Sequence, residues 1–289
     1  MLCWCRRRRD AGVSPYNPSV TFQVGAKRLQ QRIAAFVRHR LRAAGRDSTP
    51  AAPAFEPGGS TATIHHTRAV IAATFLRGDG IEIGALHQPL LVPASARVRY
   101  VDRMTVPELR RQYEELAGLP LVETDIIDNG EHLTTIGNHT QDFVIANHFL
   151  EHCQNPIQTF HNLFRVLKPG GVLYLAVPDK RFSFDADRPC TTVEHIMRDF
   201  TEGPEWSKRQ HFEEWTRLVN KRTGEAEVEQ EIAHLLSIDY SIHFHVWRAA
   251  DLLELVVAVQ RLVPFELELF LRNGFETILI LRQDSTRPS

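Results

Sequence analysis

The sequence predicts an α/β fold built on a mostly parallel sheet that ends in an antiparallel pair. Three observations predict it. Short, continuously apolar segments (GDGIEIG, VRYVD, DFVIAN and VLYLAVP) alternate with stretches of helical period up to about residue 180, as expected of strands covered on both faces by crossover helices. Over about 180–245 that rhythm gives way to helical stretches rich in His, Trp and acids. Then FELELFLRNGFETILILR reads as two alternating strands around Asn273-Gly274, a hairpin signal.

Each element has its own justification. The helix HHTRAVIAATFL leads into GDGIEIG, a first strand ending at Gly84. Pro89 and Pro93 argue against a regular helix in the next connection. VRYVD is a second strand ending on Asp102, and Thr105 then opens a helix with Glu108 three residues on, a capping box, with Gly118 closing it. PLVETD reads as the third strand and DFVIAN as the fourth. Pro156 suits the first turn of the helix IQTFHNLFRVLK, which stops at Pro169-Gly170-Gly171 before VLYLAVP, the fifth strand. AADLLELVVAVQRL is the helix before the terminal pair.

With 289 residues, 43% hydrophobic and 24% charged, the chain can bury one α/β core with an elaborated region. We read residues 1–60 as a basic N-terminal extension and 61–285 as the folded domain, with a helical insertion at about 180–245. In the extension, Leu29, Ile33, Phe36 and Leu41 recur near helical period among Arg28, Arg32, Arg38 and Arg42, followed by the linker DSTPAAPAFEPGGS. That basic amphipathic helix is expected to be a solvated extension or a weak contact to a membrane surface or protein. A formal net charge of −1 gives no global attraction to nucleic acid. Cys3, Cys5, Cys153 and Cys190 are too few and too scattered for a disulfide framework and suit a reducing cytoplasm.

In an open parallel sheet, ligands lie beyond the carboxyl ends of the strands. There the sequence offers Glu82 to Leu86, Asp102, Asp125 and Asn147 to His152. A carboxylate such as Asp102 can accept both hydroxyls of a ribose, and Gly84 allows close backbone approach. ALHQPLLVP after Gly84 holds no further glycine and no phosphate cradle, so a nucleoside without a pyrophosphate fits better than a dinucleotide. NHFLEH satisfies the zinc-peptidase pattern H-x-x-E-H. Such a site needs both imidazoles on one helical face and a third ligand. His148 falls at a strand-to-turn junction instead, so the sequence assigns no metal and His152 reads as structural.

The run DFVIANHFLEHCQNPIQTFHNLFRVLKPGGVLYLAVPD resembles the class I S-adenosylmethionine-dependent methyltransferases. It has their fourth strand, Glu-His turn, helix, Leu-Lys-Pro-Gly-Gly and fifth strand in register. GIEIG, VRYVD and VETD are similar to the family's first three motifs, and the resemblance spans about 64–283. It implies a Rossmann-like, seven-stranded, mostly parallel sheet with a C-terminal antiparallel β-hairpin, and S-adenosyl-L-methionine as cofactor. Carried over by position, Glu82, Gly84 and Ala85 would lie along the methionine and ribose. Asp102 would hold the ribose hydroxyls, Asp125 and Ile126 would flank the adenine, and Asn147 and His148 would line the sulfonium side. The chain departs from the family at Leu86 and Gln88, where further glycines are common.

Methyl transfer from a sulfonium depends heavily on alignment, and a hydroxyl or amine acceptor is helped by a base. The candidates are His148, His243 and His245. In SIHFHVW, His243, His245 and Trp247 share a face if the segment is extended. His195, His211, Trp206 and Trp215, and Asp179, Lys180 and Arg181 after the fifth strand, are further candidates. The expected function is methyl transfer to a small-molecule or glycan acceptor. The alternative, motivated by Leu86 and Gln88, is a binding or scaffold protein that has lost the cofactor. A nicotinamide-dependent reductase is disfavoured by the missing glycines.

Overall fold

A computed structural model describes residues 61–113 and 116–284. The basic helix and linker expected over 1–60 lie outside them. Seven strands form one sheet: Gly78–Ile83 (β1), Ala96–Asp102 (β2), Ile126–Ile127 (β3), Gln141–Asn147 (β4), Leu167–Pro178 (β5), Phe265–Asn273 (β6) and Glu276–Gln283 (β7). Their order is β3-β2-β1-β4-β5-β7-β6. The first five are parallel, and β7 runs antiparallel to both β5 and β6. The predicted mostly parallel sheet with its terminal hairpin is thus present. The hairpin loop is Gly274-Phe275, closed by the Asn273–Glu276 pair, with Gly274 at φ 64, a conformation that glycine adopts without steric cost.

Period-two alternation along the strands feeds two cores. On one face Val144, Ala146, Leu173 and Leu175 pack with Phe160 and Leu163 of Pro156–Val166 (α3) and Leu252 and Leu255 of Ala249–Gln260 (α7). On the other, Phe143, Ile145, Tyr174 and Ile280 meet Ile71 and Ala72 of Thr61–Phe75 (α1). Each fully buried Val, Leu, Ile or Phe among them contributes roughly 1.5–3 kcal/mol. The expected capping box opens Val106–Gln112 (α2), the Thr105 N–H donating to Glu108 Oε2 at 2.9 Å. Asn155 caps α3 by accepting from the Gln158 N–H at 3.1 Å, with Pro156 in the first turn.

The β1–β2 connection contains no helix. Instead Leu90 folds back onto the second core. Between β5 and α7 come Val193–Glu202 (α4), Glu205–Glu214 (α5), a π turn at Trp215–Val219 and Glu225–Ser237 (α6). These bury their own cluster, Phe212, Trp215, Val228, Ile232, Ile242 and Phe244. Among the described residues no helix is long and apolar enough to cross a membrane.

Candidate active site

A cavity of about 610 Å³ opens beyond the carboxyl ends of β1, β2 and β4, where strand order reverses and ligands of open sheets collect. Its floor comes from the strand ends. Gly84 leaves β1 at φ 63, and a Cβ there would meet nothing within 4 Å. Gly130 is the opposite case: a Cβ would meet Ile83 Cγ2 at 2.6 Å and Phe149 Cζ at 2.8 Å, so only glycine lets that loop pass. Asp102 ends β2 at the cavity wall. Burial raises its carboxyl above the usual range, partly offset by the backbone N–H groups of Met104 and Arg103.

His148 leaves β4 in the left-handed region at φ 51, its N–H tied to the Ala176 carbonyl at 2.7 Å. Its Nε2 meets Glu276 Oε2 at 2.9 Å, and its Nδ1 stands 3.8 Å from Glu151 Oε1. Glu276 is buried and also receives the Arg68 guanidinium and, at 2.9 Å, the Asn273 carboxamide N–H. Burial pushes its carboxyl up, but the His148 bond and the Arg68 charge reverse this and hold it well below the ordinary range. Glu151, fully buried, is pushed up to about 7.

The roof is aromatic. Phe184, Trp215, His243 and Phe244 line it, with Phe184 edge-on to Trp215 at 5.3 Å. His243 Nδ1 bonds Asp185 Oδ2 at 2.7 Å. Arg188, 2% exposed, donates to Asp185 at 2.9 Å, to Glu214 at 2.5 Å, and to the carbonyls of His243 and Phe244 at 2.7 and 3.2 Å. At the β2 end Arg103 reaches across to Asp239 Oδ2 at 3.1 Å and to the Tyr113 hydroxyl at 2.6 Å.

Gly84, Asp102, His148 and His243 therefore meet in one cavity, and several other expected residues do not. Asp125 is exposed, and its carboxylate accepts from the Tyr100 N–H at 2.8 Å. It and Ile126 do not line the cavity, and Asn129 and Gly130 do. The reason is that β3 is only Ile126–Ile127, later than PLVETD, so the residues beyond its end fall later too. Glu82, Ala85 and Asn147 do not line the cavity either. Both Glu82 oxygens accept the Leu90 N–H at 3.0 Å, and burial pushes this carboxyl up to about 7 against that bond. His245 is fully buried away from the cavity. Asp179 grips Arg181, and the Lys180 ammonium donates to the Ala186 carbonyl at 2.7 Å. In NHFLEH, Leu150–His152 is a single 3-10 turn. His148 turns to Glu276 and His152 Nδ1 to the Ile242 carbonyl at 2.9 Å, so the two imidazoles serve different partners. Glu276 and Asp185, which fix the two cavity histidines, had no local signal in the sequence.

The floor fits a nucleoside cofactor without a pyrophosphate. It offers a carboxylate, Asp102, at the end of the second strand, glycines at Gly84 and Gly130, and no helix N-terminus after β1 to receive a phosphate. Solved structures to which the chain is similar include S-adenosylmethionine-dependent methyltransferases from three organisms. That from Thermotoga maritima is 14% identical, with 77% of this chain and 93% of that one covered at a TM-score of 0.39. The one from Aquifex aeolicus is 12% identical, 79% and 98% covered, at 0.39. The one from Methanosarcina mazei is 16% identical, 73% and 95% covered, at 0.40. Comparison with curated proteins finds no match. Residues 36–256 match the family described as a methyltransferase domain, and the chain belongs to that family, the class I S-adenosylmethionine-dependent methyltransferases.

Proposed function

We propose that the chain methylates a hydroxyl or amine of a small molecule or a glycan, with His148 as general base. The observation that carries this reading is that two imidazoles, each backed by a buried carboxylate, line one cavity: His148 on Glu276 and His243 on Asp185. Acceptors that hold their proton tightly need a base within hydrogen-bond reach. His148 belongs to the floor and His243 to the roof, so His148 is assigned the proton and His243 the acceptor. A proton taken up by the His148 ring sits with Glu276 at one nitrogen and Glu151 near the other, which stabilises the imidazolium.

Asp102 would hold the ribose, and Gly84 and Gly130 would let the backbone approach the cofactor. S-adenosylmethionine, when bound, supplies a methyl group on a sulfonium with a good leaving group. The chain's own share is then alignment and exclusion of water. Phe184, Trp215 and Phe244 provide aromatic faces for a sugar ring or planar group. On this reading, residues 61–285 form one catalytic domain, with the helices over about 180–245 as its acceptor cover. The free thiols of Cys153 and Cys190 are in keeping with a cytoplasmic location.

The test is release of S-adenosylhomocysteine with a panel of sugar, hydroxyl and amine acceptors. For the acceptor that works, His148→Gln is expected to lower kcat roughly a hundred- to ten-thousand-fold while calorimetric affinity for S-adenosylhomocysteine stays. His243→Gln should act mainly on KM. Undiminished kcat in His148→Gln would remove the base from that residue.

A further inference from the structure

Behind the roof, away from the cavity, four side chains of metal-ligating type converge. His195 and Asp199 lie one turn apart on α4, His211 is on α5, and His245 is in the extended run that ends at Trp247. One donor atom from each falls within 4.8 Å of all the others. The shortest separations are 3.0 Å between His195 Nε2 and His211 Nε2, 3.4 Å between His195 Nε2 and Asp199 Oδ2, and 3.5 Å between His245 Nε2 and Asp199 Oδ2. A tetrahedral zinc ion with bonds of about 2.0–2.1 Å has ligand–ligand edges of about 3.3 Å. The cluster is already near that size.

Without a cation the arrangement is poorly satisfied. Asp199 Oδ2 is buried and accepts no hydrogen bond. His245 is fully buried, its Nε2 3.5 Å from both the Gln154 carbonyl and Asp199 Oδ2, with no bond at Nδ1. His195 and His211 share one N–H···N bond at 3.0 Å, so the unmet need lies with Asp199 and His245. A group that costs this much when left unpaired is well explained by a ligand that accepts four lone pairs at once.

We propose that His195, Asp199, His211 and His245 bind one divalent transition-metal ion, zinc, as a structural site. Three imidazoles and a carboxylate are a borderline-soft set suited to zinc in four-coordination. Ser207 plays the supporting part that such sites need: its hydroxyl donates to Asp199 Oδ1 at 3.0 Å, which leaves Oδ2 turned toward the histidines. Burial lowers both His211 and His245 from the ordinary imidazole value, in keeping with the neutral rings that the geometry already requires of ligands. Burial likewise pushes Asp199 up to about 6, against the Ser207 bond, and a bound cation reverses that. The neighbouring cations are already paired, Arg188 with Asp185 and Glu214 and Arg198 with Glu202. The ion would tie α4 and α5 to the run carrying His243 and Phe244, which form the cavity roof. Where the sequence suggested a metal, at NHFLEH, and then declined it, the fold gathers a better set from His195 onward. Only one pair in that set, His195 and Asp199, is close in sequence.

The experiment uses the full chain, purified without chelator from zinc-supplemented medium. Elemental analysis is expected to find close to one zinc per chain. Stripping with a strong chelator should lower the thermal midpoint, and zinc should restore it. Cobalt added to the stripped protein should give the intense visible absorption of a four-coordinate ion, a readout that does not require any variant to fold. His195→Gln, the partly exposed member, and Asp199→Asn should each reduce bound zinc roughly tenfold or more. Protein that holds no metal and shows no cobalt band overturns the proposal. So does metal that survives both substitutions but is lost in His152→Gln, since Glu151, His152 and His243 form a second cluster of ligand-type residues.

Discussion

Beneath the cavity, Gly84, Asp102 and His148 are placed by where β1, β2 and β4 end. Above it, His243 and Phe244 are placed by a side chain, Arg188, whose guanidinium holds both of their carbonyls and two carboxylates besides. The floor inherits its geometry from a hydrogen-bonded ladder with apolar residues on both faces. The roof belongs to no sheet and has a smaller apolar cluster, so its polar groups must fix one another. The floor should therefore tolerate loss of one side chain better than the roof does.

The largest expected effect is on the roof. Arg188→Met leaves Asp185, 1% exposed, without its guanidinium, and removing one partner of a buried ion pair typically costs about 3–5 kcal/mol. Urea titration should show that loss, with Trp215 fluorescence in the roof changing before β-sheet circular dichroism does. If both signals move together with a loss below about 1 kcal/mol, the roof does not depend on Arg188 in the way argued.

One buried carboxylate from each region answers to pH with the opposite sign to the other. In the floor, burial raises Glu82 from 4.5 to about 7. The folded state then binds a proton that the unfolded state has released, and stability falls as pH climbs from about 4.5 to about 7. The shift corresponds to a change on the order of 3 kcal/mol. In the roof, burial pushes Asp185 up, but His243 and Arg188 more than reverse it. Its contribution is present above the ordinary aspartate range and is lost as pH falls below it. Thermal melts of Glu82→Gln should be flatter than those of the parent between pH 4.5 and 7 and higher at pH 8. A variant that keeps the parent's slope would remove Glu82 as its source.

Asp102→Ala probes the floor's binding role. Hydrogen bonds to a charged group are worth about 1.5–3 kcal/mol, so calorimetric affinity for S-adenosylhomocysteine should fall roughly ten- to a hundred-fold, with the melting temperature little changed. Unaltered affinity would place the ribose elsewhere.

The same contrast governs what could be read in the sequence. Strand ends announce themselves through apolar runs, so Gly84, Asp102 and His148 were legible. Asp125 falls outside the cavity lining; a two-residue strand, Ile126–Ile127, leaves too little pattern in the sequence to fix its end. In the roof, period two put His243 and His245 on one face, yet residues 242–247 are buried throughout. His243 turns to the cavity and His245 to the cluster with His195 and His211. The partners that give these histidines their meaning, Asp185 for His243 and Glu276 for His148, stand 58 and 128 positions away. No local spacing rule reaches that far.

The smallest effect bears on the family's missing glycines. Leu86 takes φ 51, a left-handed conformation that costs a side-chain-bearing residue about 1–2 kcal/mol. Its carbonyl accepts the Val122 N–H at 2.8 Å, a bond that any residue at the position keeps. Leu86→Gly should therefore relieve strain, with part of the gain returned through the unfolded chain's extra freedom, about 0.4–1 kcal/mol. The expected net change in urea is a gain of less than about 1 kcal/mol. Leu86 also lines the cavity, so the substitution separates two explanations of the departure. A gain with unchanged cofactor affinity means the leucine is tolerated strain on a turn that Val122 already holds. A loss of both stability and affinity means the side chain is a wall of the cofactor site, and that the chain has replaced the family's thin glycine turn with apolar contact.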